Sequence, residues 1–296
     1  MTNTSQAAAP LSTNAGTWAT TASADPATTL STVQDGLPIR LIATARSAFK
    51  TCGPDEELAR VVERNPDGFD HFPVVECGGA TQGRIVGLLN IAPFMHDANP
   101  SGLVRCQMDP LSEDNLIGAD ASLLTFIRSA DSQGCRLVFS GPKISGLVSL
   151  SDLQRLPVRA SLFAMVTHLE ITMADAIRRE FPHGEGWLAR LSDARQKKIC
   201  CESAKSRSHD AFVETLLFTQ FADKRDIIRK SNRFEWSTTV FDSELKQIGN
   251  LRDDVAHANN YASTREAACC VCESVRLMDV WIERLSGWGV SADSAL

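Results

Sequence analysis

The sequence predicts an α+β fold in which two copies of a small sheet-forming unit precede an all-helical region. The first observation is that the order helix–strand–turn–strand occurs twice, about 60 residues apart, which indicates an internal duplication. The second is that after Ser149 no segment alternates as a strand does, while apolar residues recur at steps of three and four. We therefore divide the chain into residues 1–36, 37–155 and 156–290.

The composition is that of an ordinary globular protein. Hydrophobic residues make up 43% of the chain and charged residues 22%. No run approaches the roughly 18 apolar residues that cross a bilayer, so we expect no membrane contact. The N-terminus has neither the basic start and apolar core of an export signal nor the arginines of a transit peptide, so we expect a cytoplasmic protein.

The nine cysteines are interpreted as reduced thiols, since no export signal accompanies them. Cys200 and Cys201, and the three cysteines within residues 269–272, have the chemistry of zinc ligands. Both groups lie in segments that look helical, and no Cys-x2-Cys pair has a second half at zinc-finger spacing. We therefore favour thiols and predict no metal site.

Residues 1–36 have the composition of a disordered tail. Ala, Ser and Thr supply 21 of these residues, and Asp25 and Asp35 are the only charged side chains. Such a segment buries too little apolar surface to offset the entropy lost on ordering, so we expect it to be disordered.

The first copy of the repeated unit begins with a helix predicted over residues 54–62, whose acidic first turn suits the helix dipole. Residues 72–75 follow as a strand, Gly78 and Gly79 as a turn, and residues 84–89 as the return strand of a hairpin. In the second copy the helix is predicted over residues 121–127.

The second hairpin has its strands over residues 135–139 and 144–149, joined by a turn at residues 141–143. The two copies therefore have the same order of elements, and we expect the same local fold in each.

Two runs of residues carry a resemblance to the CBS-domain family. Residues 71–75 read HFPVV, and residues 146–152 read GLVSLSD. The chain is similar to a tandem of CBS domains over about residues 37–155. In this family the second pattern ends the last strand and opens a helix. The resemblance implies that the hydroxyl of Ser149 contacts a nucleotide phosphate and that the carboxylate of Asp152 contacts the ribose.

The chemistry of these residue types agrees with that implication, because a helix N-terminus offers N–H groups to phosphate and a carboxylate accepts from ribose hydroxyls. The first copy has Asn90 and Pro93 at the matching positions, so we expect a single site. The expected ligand is an adenine nucleotide such as AMP, ATP or a cyclic nucleotide. The alternative is that Asp152 simply caps the helix that follows it.

After Pro157 the sequence is predicted to be helical throughout. Proline suits the first turn of a helix, so Pro157 is a suitable starting point. One apolar stripe at steps of four and three is formed by Leu162, Val166, Leu169, Met173 and Ile177. Further helices are predicted over about residues 187–205, 210–230, 242–262 and 264–286. The region is therefore predicted to be a five-helix bundle.

Positive charge is concentrated in one part of this bundle. The chain carries a net charge of −6, yet residues 190–233 hold 11 Lys or Arg and 6 Asp or Glu, a local balance of +5. A basic surface on an acidic protein is compatible with a nucleic-acid partner. The alternative is that these residues form the solvated outer faces of amphipathic helices.

Residues 248–261 gather the most reactive side chains of the chain. If residues 242–262 form one helix, Asp253, His257 and Tyr261 lie on one row, each one turn from the next. Arg252 and His257 have the spacing Arg-x4-His. An all-helical region with this motif near its end resembles the HEPN family, over about residues 158–288.

The HEPN resemblance implies a metal-independent ribonuclease with its cleft between two paired helices, and hence a homodimer that acts on RNA. His257 would transfer protons, and Arg252 would bind phosphate oxygens. Asp253 would orient the imidazole. Glu170 is a further candidate, since some family members use a carboxylate on the first helix. The alternative is a solvated helix face, because the bare spacing also occurs elsewhere in the chain.

Tyr261 is the only tyrosine and a candidate for regulatory modification. Some HEPN toxins are adenylylated on a tyrosine just past the histidine. Their spacing is His-x-Tyr, whereas three residues separate His257 from Tyr261 here. The alternative is a buried tyrosine whose hydroxyl is hydrogen-bonded.

Two functional hypotheses follow from these observations. In the first, the chain is a nucleotide-regulated ribonuclease of the toxin or antiviral-defence kind that needs no cofactor for catalysis. The CBS module would gate a cleft at the dimer interface, and the basic segment would guide RNA to it. In the second, the chain is a non-catalytic dimeric regulator that senses a nucleotide and binds a partner through its helical domain.

Overall fold

A computed structural model of the chain describes residues 28, 32, 36–76, 83–208 and 214–288. The expected disordered tail lies outside these residues, except for Thr28, Thr32 and Gly36, as do Gly78 and Gly79 of the predicted turn. Within the described residues the α+β fold class is confirmed, with a sheet-forming region as expected for a CBS pair and an all-helical region after it.

The first copy of the unit contains helix α1 (Leu58–Glu63) and the antiparallel hairpin of β2 (His71–Glu76) and β3 (Arg84–Asn90). The short strand β4 (Asp109–Pro110) pairs with β3, and this strand was not predicted. The hairpin buries Phe72, Val74 and Leu89 against α1, and it buries Ile85 and Leu88 against the second copy. Its sequence alternates weakly because both faces are covered.

Helix α1 begins four residues later than the sequence predicts, at Leu58 rather than at residue 54. The carboxylate of Glu56 accepts a hydrogen bond from the Gly53 amide and forms an ion pair with Arg64. These contacts hold residues 53–57 in a turn, so the acidic residues precede the helix instead of forming its first turn.

The second copy contains β5 (Leu116–Gly118), α2 (Leu123–Ile127), β6 (Cys135–Ser140) and β7 (Lys143–Ser149). Strands β6 and β7 form the predicted antiparallel hairpin, and β5 pairs with β6 in parallel. A short strand from the start of the chain, β1 (Thr44–Ala45), completes this sheet in the order β1-β7-β6-β5.

The duplication extends to one glycine in each copy. A Cβ atom on Gly87 would lie 2.6 Å from the Asp109 carbonyl oxygen of β4, and one on Gly146 would lie 2.6 Å from the Thr44 carbonyl oxygen of β1. Each glycine therefore permits a short edge strand to approach its hairpin closely. In each copy a 3-10 helix then follows the hairpin, at Ala92–Phe94 and at Leu150–Gln154.

The helical region consists, within the described residues, of five α-helices. They are α3 (Leu156–Glu180), α4 (Asp193–Arg207), α5 (Phe221–Arg229), α6 (Thr238–Ala256) and α7 (Arg265–Gly287). Helix α3 lies at the centre and packs against α5, α6 and α7. The predicted stripe on α3 is buried, from Leu162 to Ile177, and described residues after Ser149 form no strand.

Two predicted helices of this region are shorter than expected. The segment predicted over 187–205 contains a 3-10 helix at Gly186–Arg190 before α4 begins. The segment predicted over 210–230 contains a 3-10 helix at Thr215–Phe218 and then α5. Helix α5 is held at its start by the Asp223 carboxylate, which accepts from the Gln220 amide and pairs with Arg195 of α4.

The end of α6 contradicts the prediction of one helix over residues 242–262. The helix stops at Ala256, Ala258 adopts a positive φ of 57°, and the Asn259 amide donates to the Asp254 carbonyl at 2.9 Å. This is the geometry of a Schellman C-cap. Arg159 of α3 adds hydrogen bonds to the carbonyl oxygens of Asp254, Val255 and Asn259. The predicted helical row of Asp253, His257 and Tyr261 is therefore wrong.

The buried core is continuous from the second copy into the helical region. Leu123, Phe126 and Leu153 belong to the same cluster as the buried residues of α3 and α7. Two ion pairs, Arg128–Asp279 and Arg276–Asp131, fasten α2 and the turn after it to α7. The expected boundary near residues 155 and 156 thus falls where the 3-10 helix meets α3, with no linker between them.

Helix α3 is long and apolar enough to cross a membrane by length and composition alone. Of its most apolar window, 61% is buried inside the bundle. The central helix of a helical bundle meets the same criteria, so this feature does not indicate a membrane span.

Candidate functional site

A cavity of about 560 Å³ opens between the two repeated copies and the start of α7. Its walls come from five stretches of the chain, within residues 44–50, 68–71, 134–135, 147–155 and 262–268. The polar and aromatic residues among its lining are Thr44, Phe49, Lys50, Phe69, Asp70, His71, Ser149, Ser151, Asp152, Arg155, Ser263, Thr264 and Arg265. The volume is in the range of small-molecule and cofactor sites.

Both residues that the CBS resemblance singles out line this cavity. Asp152 is 5% exposed, and its Oδ2 accepts hydrogen bonds from the Ser149 amide at 2.7 Å and from the Ser149 hydroxyl at 3.2 Å. Its Oδ1 pairs with the Nε of Arg155 at 2.8 Å. Asp152 thus forms a capping box with Ser149 on the 3-10 helix to which it belongs, whereas α3, the helix that follows, has Arg155 as its N-cap and no side-chain cap.

Burial raises the pKa of the Asp152 carboxyl above its usual value, although the Ser149 amide and Arg155 oppose that shift. The free-energy cost of removing the carboxylate from water is larger than the stabilisation that these partners give to its charged form. A buried carboxylate with a raised pKa beside a cavity is a common feature of functional sites.

The sequence did not identify three further residues of the cavity wall. Lys50 and Phe69 precede β2, and the ammonium of Lys50 lies 5.3 Å from the centre of the Phe69 ring, which is 48% exposed. His71 begins β2 and is the first residue of the HFPVV run, which gives it no role at the site. The sequence does not connect these three residues with Ser149, because only the packing of the two copies brings them to the same cavity.

The pKa of His71 is lowered, first by burial and also by the positive charge of Arg265, while Asp70 and Asp109 raise it. The imidazole therefore favours its neutral form. The positive charge of the cavity therefore belongs to its lysine and arginine side chains.

Charged side chains give the cavity a positive balance. Lys50, Arg155 and Arg265 stand against Asp70 and Asp152. The ammonium of Lys50 pairs with Asp67 at 2.6 Å, and Arg155 pairs with Asp152. The arrangement suits an anionic ligand with one flat apolar group, since cations and an exposed ring face the same space.

The corresponding position in the first copy lacks these features. The side-chain oxygen of Asn90 accepts from the Ala92 amide at 3.2 Å, and Pro93 stands where the second copy has Asp152. None of residues 90–93, all of which the structure describes, lines the cavity.

A second cluster of charged residues lies on the helical region. The Nε of Arg252 on α6 is 3.4 Å from Glu170 on α3, and its Nη1 is 3.0 Å from Asp253. Glu170 also pairs with Lys224 of α5 at 3.2 Å. The hydrogen bond to Asp253, followed by the charge of Glu170, raises the pKa of Arg252. The structure thus brings Arg252, Asp253 and Glu170 together and adds Lys224, which the sequence did not indicate.

His257 stands apart from this cluster at the C-cap of α6. Its side chain is exposed, and its backbone amide donates to the Asp253 carbonyl at 2.9 Å. The Asp253 carboxylate contacts Arg252, and among the described residues no side-chain hydrogen bond reaches His257. The expected pairing of Asp253 with the imidazole is therefore absent among the described residues, because the Asp253 carboxylate contacts Arg252 instead.

Tyr261 is buried, with 5% of its surface exposed, and its hydroxyl donates to the Leu153 carbonyl oxygen at 2.7 Å. The guanidinium of Arg159 lies 4.8 Å from the centre of its ring. Burial raises the pKa of the Tyr261 hydroxyl to about 12. These contacts agree with the alternative of a buried, hydrogen-bonded tyrosine, since a modifying enzyme needs an accessible hydroxyl.

The comparisons with known proteins give no family model and no curated protein that matches the chain. Solved structures that match it include the CBS domain of the bacterial CNNM/CorC family Mg²⁺ transporter in complex with ATP, at 15% identity and a TM-score of 0.35, over 43% of this chain and 90% of that one. A hemolysin-like protein containing a CBS domain from Oenococcus oeni PSU matches at 11% identity and a TM-score of 0.34, over 43% and 93%.

A third match is the structure of CBSX2 in complex with AMP. It has 15% identity and a TM-score of 0.32, over 43% of this chain and 97% of that one. Each of these structures therefore corresponds to less than half of the present chain.

Proposed function

We propose that the chain is a nucleotide sensor whose ligand, an adenine nucleotide, occupies the cavity beside Ser149 and Asp152. The observation that carries this proposal is that both residues of the 146–152 motif line one cavity together with three cations and an exposed aromatic ring. The Ser149 hydroxyl and the cations would bind phosphate, and the Asp152 carboxylate would accept from ribose hydroxyls. The ring of Phe69 offers a face for the base.

Calorimetry with AMP, ADP, ATP and cyclic AMP tests this proposal. The wild type is expected to bind at least one of them, and Asp152→Ala and Ser149→Ala are expected to bind it at least tenfold more weakly, as for the loss of about one charge-assisted hydrogen bond. Asp120→Ala is the matched control, because Asp120 is an exposed carboxylate of the same copy whose one ion pair among the described residues is with Arg40. Absence of binding by the wild type to all four ligands would overturn the proposal.

A second candidate function is RNA cleavage at the helical region. It is supported by the contact of Arg252 with Glu170, by the exposed imidazole of His257 and by the basic segment 190–233. In this reaction a base removes the proton of a ribose 2′-OH, and the oxygen attacks the adjacent phosphorus. The 5′-oxygen leaves and takes a proton, so the products are a 2′,3′-cyclic phosphate and a 5′-hydroxyl.

His257 would transfer one of these protons, and Arg252 would hold the phosphate oxygens as negative charge grows on them. Glu170 would fix the orientation of Arg252 between itself and Asp253. A second copy of the chain would complete the cleft. Helix α3 offers an apolar row for that contact, since Leu156 is 75% exposed and Phe163 is 54% exposed.

The test incubates a structured RNA with the protein in EDTA, with and without AMP or ATP. The wild type is expected to cleave, His257→Ala and Arg252→Ala are expected to lose the activity, and His96→Ala is expected to keep it, since His96 is an exposed histidine remote from the bundle. Light scattering of Phe163→Asp against the wild type tests the dimer.

If the wild type binds a nucleotide but leaves RNA intact under every condition, the ribonuclease proposal fails. The chain is then best described as a nucleotide-sensing regulator that acts through its helical region on a partner.

A further inference from the structure

One wall of the nucleotide cavity belongs to the helical region rather than to the repeated copies. Residues Ala262, Ser263, Thr264, Arg265 and Ala268, at the start of α7, face Ser149 and Asp152 across the cavity. Thr264 is the N-cap of α7, and its hydroxyl accepts from the Ala267 amide at 3.2 Å. This contact determines where the helix begins and so places Arg265 at the rim.

Within the described part of the chain, Arg265 is the cavity cation that is not held in an ion pair, although its charge acts on the neighbouring Glu266 carboxylate. Among the described residues it forms no ion pair, whereas Lys50 and Arg155 pair with Asp67 and Asp152. Its charge reaches the opposite wall, because it lowers the pKa of His71 there. An exposed guanidinium that is not held in an ion pair can bind an anion through its N–H groups.

We infer that Arg265 binds a phosphate group of the nucleotide, so that the ligand bridges the repeated copies and the helical region. This inference rests on the proposed nucleotide site. It specifies the ligand class as a nucleoside phosphate rather than a nucleoside, because the group that meets Arg265 must be an anion. It also means that the helical region completes the binding site.

A consequence concerns the loop between α6 and α7, residues 257–264. Arg265 follows this loop directly, Tyr261 anchors its centre to Leu153, and His257 stands at its start. A ligand that binds Arg265 therefore restrains the end of this loop that lines the cavity. Nucleotide binding is thereby coupled to the end of α6, since the loop that leads to Arg265 begins at the C-cap of that helix.

Calorimetry on Arg265 variants tests the inference, with ATP, AMP and adenosine as ligands at two salt concentrations. Arg265→Ala is expected to weaken the binding of ATP by roughly tenfold or more, as for one hydrogen bond between charged groups. Arg265→Glu is expected to weaken it further, and Arg265→Lys to retain part of the affinity. Adenosine, which has no phosphate, is expected to bind the wild type and Arg265→Ala with affinities within about twofold.

Arg60→Ala is the control, since it also removes one exposed arginine, from the last turn of α1, where it pairs with Glu57 outside the cavity. Thermal unfolding of each variant verifies the fold. If the wild type binds ATP and Arg265→Ala and Arg265→Glu bind it equally well, the inference is wrong and the nucleotide site stands. If the wild type binds none of the nucleotides, the proposed site itself is wrong.

Hydrogen exchange supplies a readout that a merely structural role would not change. ATP is expected to slow amide exchange within residues 257–268 in the wild type and not in Arg265→Ala at matched saturation. Equal protection in both proteins would show that the ligand does not act through Arg265.

Discussion

The hydroxyl of Tyr261 donates a 2.7 Å hydrogen bond to the backbone carbonyl oxygen of Leu153. Leu153 belongs to the 3-10 helix that carries Asp152, and Tyr261 belongs to the loop that follows α6. This buried bond therefore joins the motif of the candidate nucleotide site to the segment that carries His257. The side-chain amide of Gln154 donates a second hydrogen bond between the same two segments, to the side-chain oxygen of Asn260.

Tyr261→Phe is expected to lower the free energy of unfolding by about 1 kcal/mol, because it leaves the buried Leu153 carbonyl without its donor while it keeps the ring and the contact with Arg159. Urea denaturation measures the change. Phe234→Leu is the comparison variant, because it alters packing without removing a hydrogen bond. Its m-value, the dependence of the unfolding free energy on urea concentration, is compared with that of Tyr261→Phe. An unfolding free energy equal to that of the wild type would show that water replaces the lost donor.

Ala258→Gly is expected to stabilise the protein by about 1 kcal/mol, because Ala258 has a positive φ that costs an L-residue free energy and glycine adopts it freely. Ala256→Gly is the control at the last helical position of α6, where glycine is expected to destabilise by up to about 1 kcal/mol. Thermal or urea unfolding measures whether each substitution raises or lowers the stability of the protein. Destabilisation by Ala258→Gly would contradict the C-cap.

Gly146→Ala is expected to destabilise by about 1 to 3 kcal/mol, since its Cβ would meet the Thr44 carbonyl at 2.6 Å and push β1 away from β7. Gly53→Ala, where no atom lies within 4 Å of the added Cβ, is expected to change stability far less. Denaturation of both variants under the same conditions gives the comparison. Equal effects would mean that β1 adjusts without cost.

His71 is expected to make the protein less stable as the pH falls below its usual pKa of 6.5. Burial lowers the pKa of the folded imidazole, so in this window the unfolded chain binds a proton that the folded chain does not. Stability therefore rises with pH through the window. His71→Gln is expected to flatten this slope at and below pH 6.5, whereas His96→Gln keeps it.

Asp152→Asn is expected to unfold at a temperature no lower than the wild type at neutral pH. Burial raises the pKa of the folded carboxyl, so wild-type stability falls as the pH rises from 3.8 through the folded pKa, and asparagine carries no such charge. Asparagine also keeps an acceptor for the Ser149 amide, whereas Asp152→Ala removes it and is expected to cost about 1 to 3 kcal/mol. A lower unfolding temperature for Asp152→Asn would show that the ion pair with Arg155 stabilises the protein more than burial of the carboxylate destabilises it.

Local patterns were sufficient for much of this fold. The hairpins β2–β3 and β6–β7, the central stripe of α3 and the last helix follow from periodicity and turn residues, because each depends on side chains within a few positions of one another. The motif of residues 146–152 likewise identified Ser149 and Asp152, which share one short segment. The role that this motif implies for them remains a prediction.

Other features depend on residues far apart in the chain. The end of α6 is held by Arg159, about a hundred residues earlier, and by the burial of Tyr261 against Leu153, so no local pattern could place it before His257. The sequence by itself determined the repeated hairpins and the helices of the last region, since these are properties of local periodicity, while the motif of residues 146–152 was noticed through its resemblance to a family. Only the tertiary structure decided that Arg265 faces Ser149 and that Lys224 joins Glu170, because packing alone brings those segments together.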